Sequence, residues 1–87
     1  PLTLRAFWNR HPQAEQPLKA WQKRKQNRHY ANWAELTRDF PRADYIGNRR
    51  LIVFDIGGNK YRLVVFIRYE AQTLYIKYVM THGEYDE

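Results

Sequence analysis

The sequence predicts an α+β fold in a single domain, residues 1–87, with N-terminal helices packed on an antiparallel sheet of three to four strands. Three observations carry this expectation. Apolar residues recur every three or four positions through the first 40 residues, the period of a helix with one buried face. Beyond the connection RADYIGN, residues 42–48, the pattern changes to dense β-branched and aromatic runs: RRLIVFDI, KYRLVVFIRY and TLYIKYVM. No repeat, low-complexity tract or Gly/Ser linker divides the 87 residues, and a chain of that length builds one modest core.

Leu4, Phe7, Trp8 and His11 lie at i, i+3, i+4 and i+7 on one face of a short first helix, and Pro12 sterically disfavours helical geometry at His11. A second helix is expected from Glu15 to Arg28. Pro17 is tolerated in its first turn, and Leu18 with Trp21 forms an apolar stripe opposite Lys19, Lys23, Arg24, Lys25 and Arg28. A third runs from Trp33 to Phe40, with Asn32 as N-cap, Glu35 at the capping-box position and Pro41 as terminator; Trp33 and Phe40 are assigned to the core. Gly57, Gly58 and Asn59 accept positive φ at low cost, so a tight hairpin joins the first two strands, and Ala71 with Gln72 marks the second turn. On the middle strand, alternation puts Tyr61, Leu63, Val65, Ile67 and Tyr69 on an apolar face for the helices to cover. Lys60, Arg62, Val64, Phe66 and Arg68 take the other.

Lysine and arginine outnumber acids by 15 to 9, and such a chain attracts polyanions, of which nucleic acid is the most abundant in a cytoplasm. The field comes from the first 50 residues, which hold eleven basic and four acidic side chains. Lys19, Lys23, Arg24, Lys25, Arg28, Arg68 and Lys77 are the candidates for RNA contact; the first five equally fit a solvated helix face. The absence of cysteine excludes disulfides and thiolate metal sites and fits a reducing compartment. The longest apolar run, Leu63 to Ile67, is far short of the roughly 20 residues that span a bilayer, so a soluble cytoplasmic protein without a membrane partner is expected. Phosphate-loop, nucleophile-elbow and dinucleotide motifs are absent, and neither His11 nor His29 has a partner at metal-ligand spacing, so no metal and no cofactor is expected.

Metal-free RNA cleavage requires activation of a 2′-hydroxyl, stabilisation of charge on the phosphorane and protonation of the leaving 5′-oxygen. Arginine and lysine suit the charge, histidine the proton and an aromatic the displaced base. Lys60 and Arg62 lie two apart on one predicted strand, and His82 and Tyr85 follow the last strand in THGEYDE. Each also has an ordinary reading: Arg62 as an exposed strand residue, Lys60 as a turn neighbour, His82 as a partner for loop carbonyls, and Tyr85 as one residue of an acidic tail.

VFDIGGNKYRLVV followed by YIKYVMTHGEYD resembles the signature of HigB-type toxins, relatives of the RelE messenger-RNA interferases. The likeness extends upstream through FWNRHPQAEQPLKAW, Trp33 and FPRADYI, so it covers nearly the whole chain. It implies a RelE-like fold, cleavage of mRNA usually in the ribosomal A site, and neutralisation by a HigA-type antitoxin whose helix-turn-helix domain is the only link to DNA. It assigns Arg62 to transition-state charge, Lys60 to phosphate, His82 to proton transfer and Tyr85 to base stacking or orientation. Asp55 stands where many relatives carry asparagine, either as an acid or as a turn partner. Such toxins usually open with a short strand and often run on past the last residue here, so the numbered chain reads as a trimmed or processed form. The alternatives are a non-catalytic RNA- or ribosome-binding module neutralised by a protein partner, with Phe66 and Tyr75 as a stacking platform, or a domain built only to receive an antitoxin segment.

Overall fold

The computed structural model describes residues 2–46, 51–58 and 60–86. Helix α1 (Leu2–Arg10) ends before Pro12, with His11 non-helical at φ −129° and ψ 78°, and a single 3-10 turn (Pro12–Ala14) leads into α2 (Glu15–Lys25). Helix α2 stops three residues earlier than expected. Gln26 is extended and Asn27 takes φ 63°, a left-handed conformation that asparagine tolerates and a helix does not continue through. Helix α3 (Trp33–Asp39) begins as its sequence indicates: Asn32 Oδ1 accepts from Glu35 N at 3.0 Å, while Glu35 Oε1 reaches back to Ala31 N at 2.9 Å.

Strands β1 (Asp44–Ile46), β2 (Leu51–Ile56), β3 (Tyr61–Arg68) and β4 (Thr73–Thr81) form one antiparallel sheet in chain order. The fourth strand, β1, lies inside the stretch expected to be a connection; three residues are too few for alternation to register. The expected start of β2 at Arg49 and Arg50, and Asn59 of the hairpin, lie outside the described residues. Gly57 and Gly58 take φ 65° and 62°, as the turn requires, and a Cβ on Gly57 would also press on Tyr61 and Pro17. Between β3 and β4, Gln72 turns at φ 50° and clamps the loop after α2: its side chain accepts from Tyr30 N at 2.8 Å and donates to Tyr30 O at 2.6 Å.

The helices cover one sheet face, as the alternation on β3 predicts. Leu4, Phe7, Leu18, Trp21 and Leu36 meet Ile52, Phe54, Ile56, Leu63, Val65 and Ile67 in one buried cluster. Leu36 is the fully buried residue of α3; Trp33 and Phe40 are only partly buried, because their rings lie at the margin against Tyr45 and Phe54. Tyr30 donates to Asp39 Oδ2 at 2.6 Å, and burial together with this bond pushes its phenol above the ordinary tyrosine range. No helix among the described residues is long and apolar enough to cross a membrane.

A last short helix, α4 (His82–Asp86), follows β4 directly. It is closed by a reciprocal cap: Glu84 N donates to Thr81 Oγ1 at 3.1 Å, and Thr81 N donates to Glu84 Oε1 at 2.9 Å. That bond from Thr81 N holds the Glu84 carboxyl below the ordinary glutamate range.

Two outcomes follow from this packing. Leu63→Ala empties a fully buried site on the central hairpin and lowers stability by about 2–5 kcal/mol in urea unfolding. Because the Glu84 carboxyl is depressed in the folded chain, the cap is complete above the ordinary glutamate pKa and is lost as pH falls through the lowered value. The Thr81 amide proton shift measured by NMR should therefore move in that acidic window, and should stay flat there in Glu84→Ala.

Candidate active site and RNA interface

The second sheet face, away from the helices, carries the polar constellation. Strand register sets Asp55 opposite Arg62, and Arg62 opposite Met80 at the end of β4. Arg62 Nε stands 3.3 Å from Asp55 Oδ1, with 11% of the arginine and 18% of the aspartate side chain exposed. Arg42, from the loop between α3 and β1, approaches the other carboxylate oxygen at 3.8 Å and remains 74% exposed. Arg62 Nη1 donates to Tyr61 O at 3.3 Å.

Helix α4 brings the remaining groups over this pair. His82 N donates to Lys60 O at 2.9 Å, tying the start of α4 to the turn before β3. The imidazole Nδ1 then lies 3.0 Å from Arg62 Nη2. Tyr85, three residues on and so on the same side of the helix, sets its ring 5.7 Å from the guanidinium carbon. Arg62, His82 and Tyr85 are thus brought together. Lys60 is not on the strand with Arg62: pairing begins at Ile56 and Tyr61, so Lys60 is an exposed turn residue that reaches the corner through its carbonyl.

Most of the cations on α2 and just after it have structural partners. Lys19 pairs with Glu15 and lies over Trp8, Lys25 lies over Trp21, and Arg24 donates to Asp39 O at 3.0 Å while lying over Phe40. Arg28 pairs with Asp39 at 3.4 Å. The Lys23 side chain is exposed and makes no ion pair or hydrogen bond among the described residues. Arg68 pairs with Glu70 at the far end of β3. Lys77 is exposed at a bulge, the extra residue between the pairs Val64–Tyr78 and Val65–Ile76. A groove of about 470 Å³ between α2 and the end of β2 is lined by Trp21, Arg24, Phe40, Arg42 and Asp55, the last of these being the partner of Arg62.

Sequence reasoning missed Arg42, the pairing role of Asp55, and α4. The cap of α4 was legible as Thr-x-x-Glu at residues 81–84, but only five residues follow Thr81 before the described chain ends. Arg42 had no local signal, because a loop and a strand 13 residues apart bring it to Asp55. His11 stacks on Phe7 with ring centroids 4.5 Å apart, a packing role.

The HigB_toxin family, described as the RelE-like toxic component of a toxin-antitoxin system, matches residues 14–87. Among curated proteins, the mRNA interferase toxin HigB of Escherichia coli (strain K12) is 53% identical over 34 residues, 39% of this chain and 33% of that protein. The mRNA interferase HigB of Escherichia coli O6:H1 is 32% identical over 54 residues, 61% of this chain and 52% of its own length. The matched segments thus span from a third to about half of these relatives. The observed α+β architecture, with helices on one face of a four-stranded antiparallel sheet, is consistent with a RelE-like fold. With the family matched over all but the first 13 residues, the chain belongs to the HigB toxins, RelE-like toxic components of toxin-antitoxin systems.

Proposed function

We propose that this chain is a metal-independent endoribonuclease, the toxin of a type II toxin-antitoxin pair, which cleaves messenger RNA by 2′-hydroxyl attack and so inhibits translation. The observation that carries the proposal is the Arg62 corner, where a guanidinium is held by Asp55 with His82 and Tyr85 against it. The names of the relatives, mRNA interferases, support the same chemistry. Five donors in a planar fork let Arg62 serve its protein partners and meet the charge that grows on the phosphorane. Exposed Lys60 adds a point charge to the phosphate, and Tyr85 stacks on or orients a base. His82 stands beside the reacting phosphate. The messenger is held in the ribosomal A site, where the ribosome supplies much of the orientation. Arg42 of the α3–β1 loop and the cations of the α2 face, Lys23 among them, grip RNA backbone, with Arg68 and Lys77 contributing from the sheet. A HigA-type antitoxin with a helix-turn-helix domain neutralises the toxin and links it to DNA.

Exposed Tyr75 and Tyr78, the latter 60% exposed, flank Phe66 and Val64 on the same sheet face as Arg62. They favour a second reading, a non-catalytic RNA- or ribosome-binding module in which bases stack on these rings.

Primer-extension mapping of a defined messenger in a purified translation system separates the two. The enzyme produces new 3′ ends that require ribosomes and fall about a hundredfold or more in Arg62→Ala; an unchanged messenger despite tight ribosome binding would sink the enzymatic reading. Lys23→Ala should lower the salt slope of RNA binding by about 1 with stability intact. Arg24→Ala, which also removes the bond to Asp39 O, should lower both.

A further inference from the structure

The corner specifies how His82 carries its proton. A guanidinium has only donors, so the imidazole nitrogen 3.0 Å from Arg62 Nη2 is the acceptor. That nitrogen is Nδ1, and the imidazole proton therefore sits on Nε2. Neither partner is loosely placed. Arg62 is held by Asp55 at 3.3 Å and by the Tyr61 carbonyl at 3.3 Å, and is almost wholly enclosed. The backbone under His82 is held by the Lys60 carbonyl and by the Thr81–Glu84 cap. A proton on Nδ1 would set two donors face to face. The basic nitrogen of His82 is thus turned toward Arg62.

We infer that Asp55 is a positioning residue: it holds Arg62 so that the guanidinium fixes the tautomer of the His82 imidazole as the Nε2–H form, and His82 meets the scissile phosphate as a hydrogen-bond donor. This rests on the cleavage reading above for its kinetic consequence. A neutral imidazole whose N–H polarises an oxygen, with no proton passing to or from it, is an established catalytic device. In the cleavage the 2′-oxygen–phosphorus bond forms and the phosphorus–5′-oxygen bond breaks. The proton lost by the 2′-hydroxyl and the one gained by the 5′-oxygen travel through water, while Arg62 and the His82 Nε2–H bear the charge on the non-bridging oxygens. The histidine role implied by the family resemblance, proton transfer, is replaced by donation from a fixed tautomer. The charge on Asp55 thereby acquires a purpose.

Two measurements on the full chain test this. Long-range proton–nitrogen NMR of nitrogen-15 labelled protein, in neutral to alkaline buffer, should find His82 protonated at Nε2 and bare at Nδ1. In Asp55→Asn, with the amide spectrum unchanged away from the corner, the two tautomers should average; Arg62→Lys provides the same readout if the first variant does not fold. A wild-type His82 protonated at Nδ1, or a tautomer indifferent to both substitutions, overturns the lock. In the messenger cleavage assay, His82→Gln supplies an amide N–H at similar reach and transfers no proton. It should stay within about tenfold of wild type, while His82→Ala falls about a hundredfold. Equal losses in the two variants overturn the donor role. If wild type cuts no messenger, the cleavage reading fails, and the spectrum still decides the lock.

Discussion

An enclosed ion pair across one hairpin, Asp55 on β2 with Arg62 on β3, is the constraint on which the rest of the site depends. Two charges removed from water are costly unless paired and hydrogen-bonded, and a carboxylate left without its arginine would be far worse than a pair absent altogether. The pair is therefore weak evidence of stability and strong evidence of register. Side chains alternate faces with a period of two, so a one-residue slip of β2 against β3 would send Arg62 into the apolar core and Leu63 out of it. Gly57 and Gly58, both at positive φ, set that register, and Leu63, Val65 and Ile67 anchor it from the opposite face. The same burial that closes the core thus aims Arg62 outward, at the end of the sheet where α4 begins.

Placement of α4 follows from the same corner. Strand β4 ends at Thr81, whose side chain and amide cap the helix, and the His82 amide reaches the Lys60 carbonyl one residue before β3. Backbone groups that a short helix would otherwise leave to water are thereby satisfied by the hairpin it covers. His82 and Tyr85 approach Arg62 because a helix brings residues three apart to one side. The cations of α2 and of the loops beside it divide their duties. Arg24 and Arg28 hold Asp39 and close α2 on α3, while exposed Lys23 and Arg42 contribute field. A sum of positive charge therefore overstates what these side chains offer a polyanion.

Much of this was legible before any coordinates. The change from helical to strand periodicity, the cap at Asn32, the Pro12 break and the two faces of β3 all appear as expected, because each is set by local sterics or by the burial of one face. The misses have physical reasons too. β1 is three residues long, the end of α2 depends on Asn27 entering the left-handed region, and Lys60 falls to the turn because pairing closes one residue later. At the site, Arg62, His82 and Tyr85 were each weak signals alone, joined only by resemblance. What unites them is Asp55, whose position opposite Arg62 is a register fact, and α4, whose five residues carry too little periodicity to announce a helix.

The central claim is that the scissile phosphate lies at the Arg62 corner with the Asp55 pair intact. The most direct test is the structure of the protein on a ribosome whose messenger is 2′-O-methylated at the mapped cleavage site, so that attack is blocked. The account predicts the phosphate within hydrogen-bonding distance of Arg62 and His82 Nε2, with Arg62 still on Asp55. A messenger seated along α2 with the corner unvisited, or an Arg62 that has left Asp55 to reach the phosphate, would contradict it.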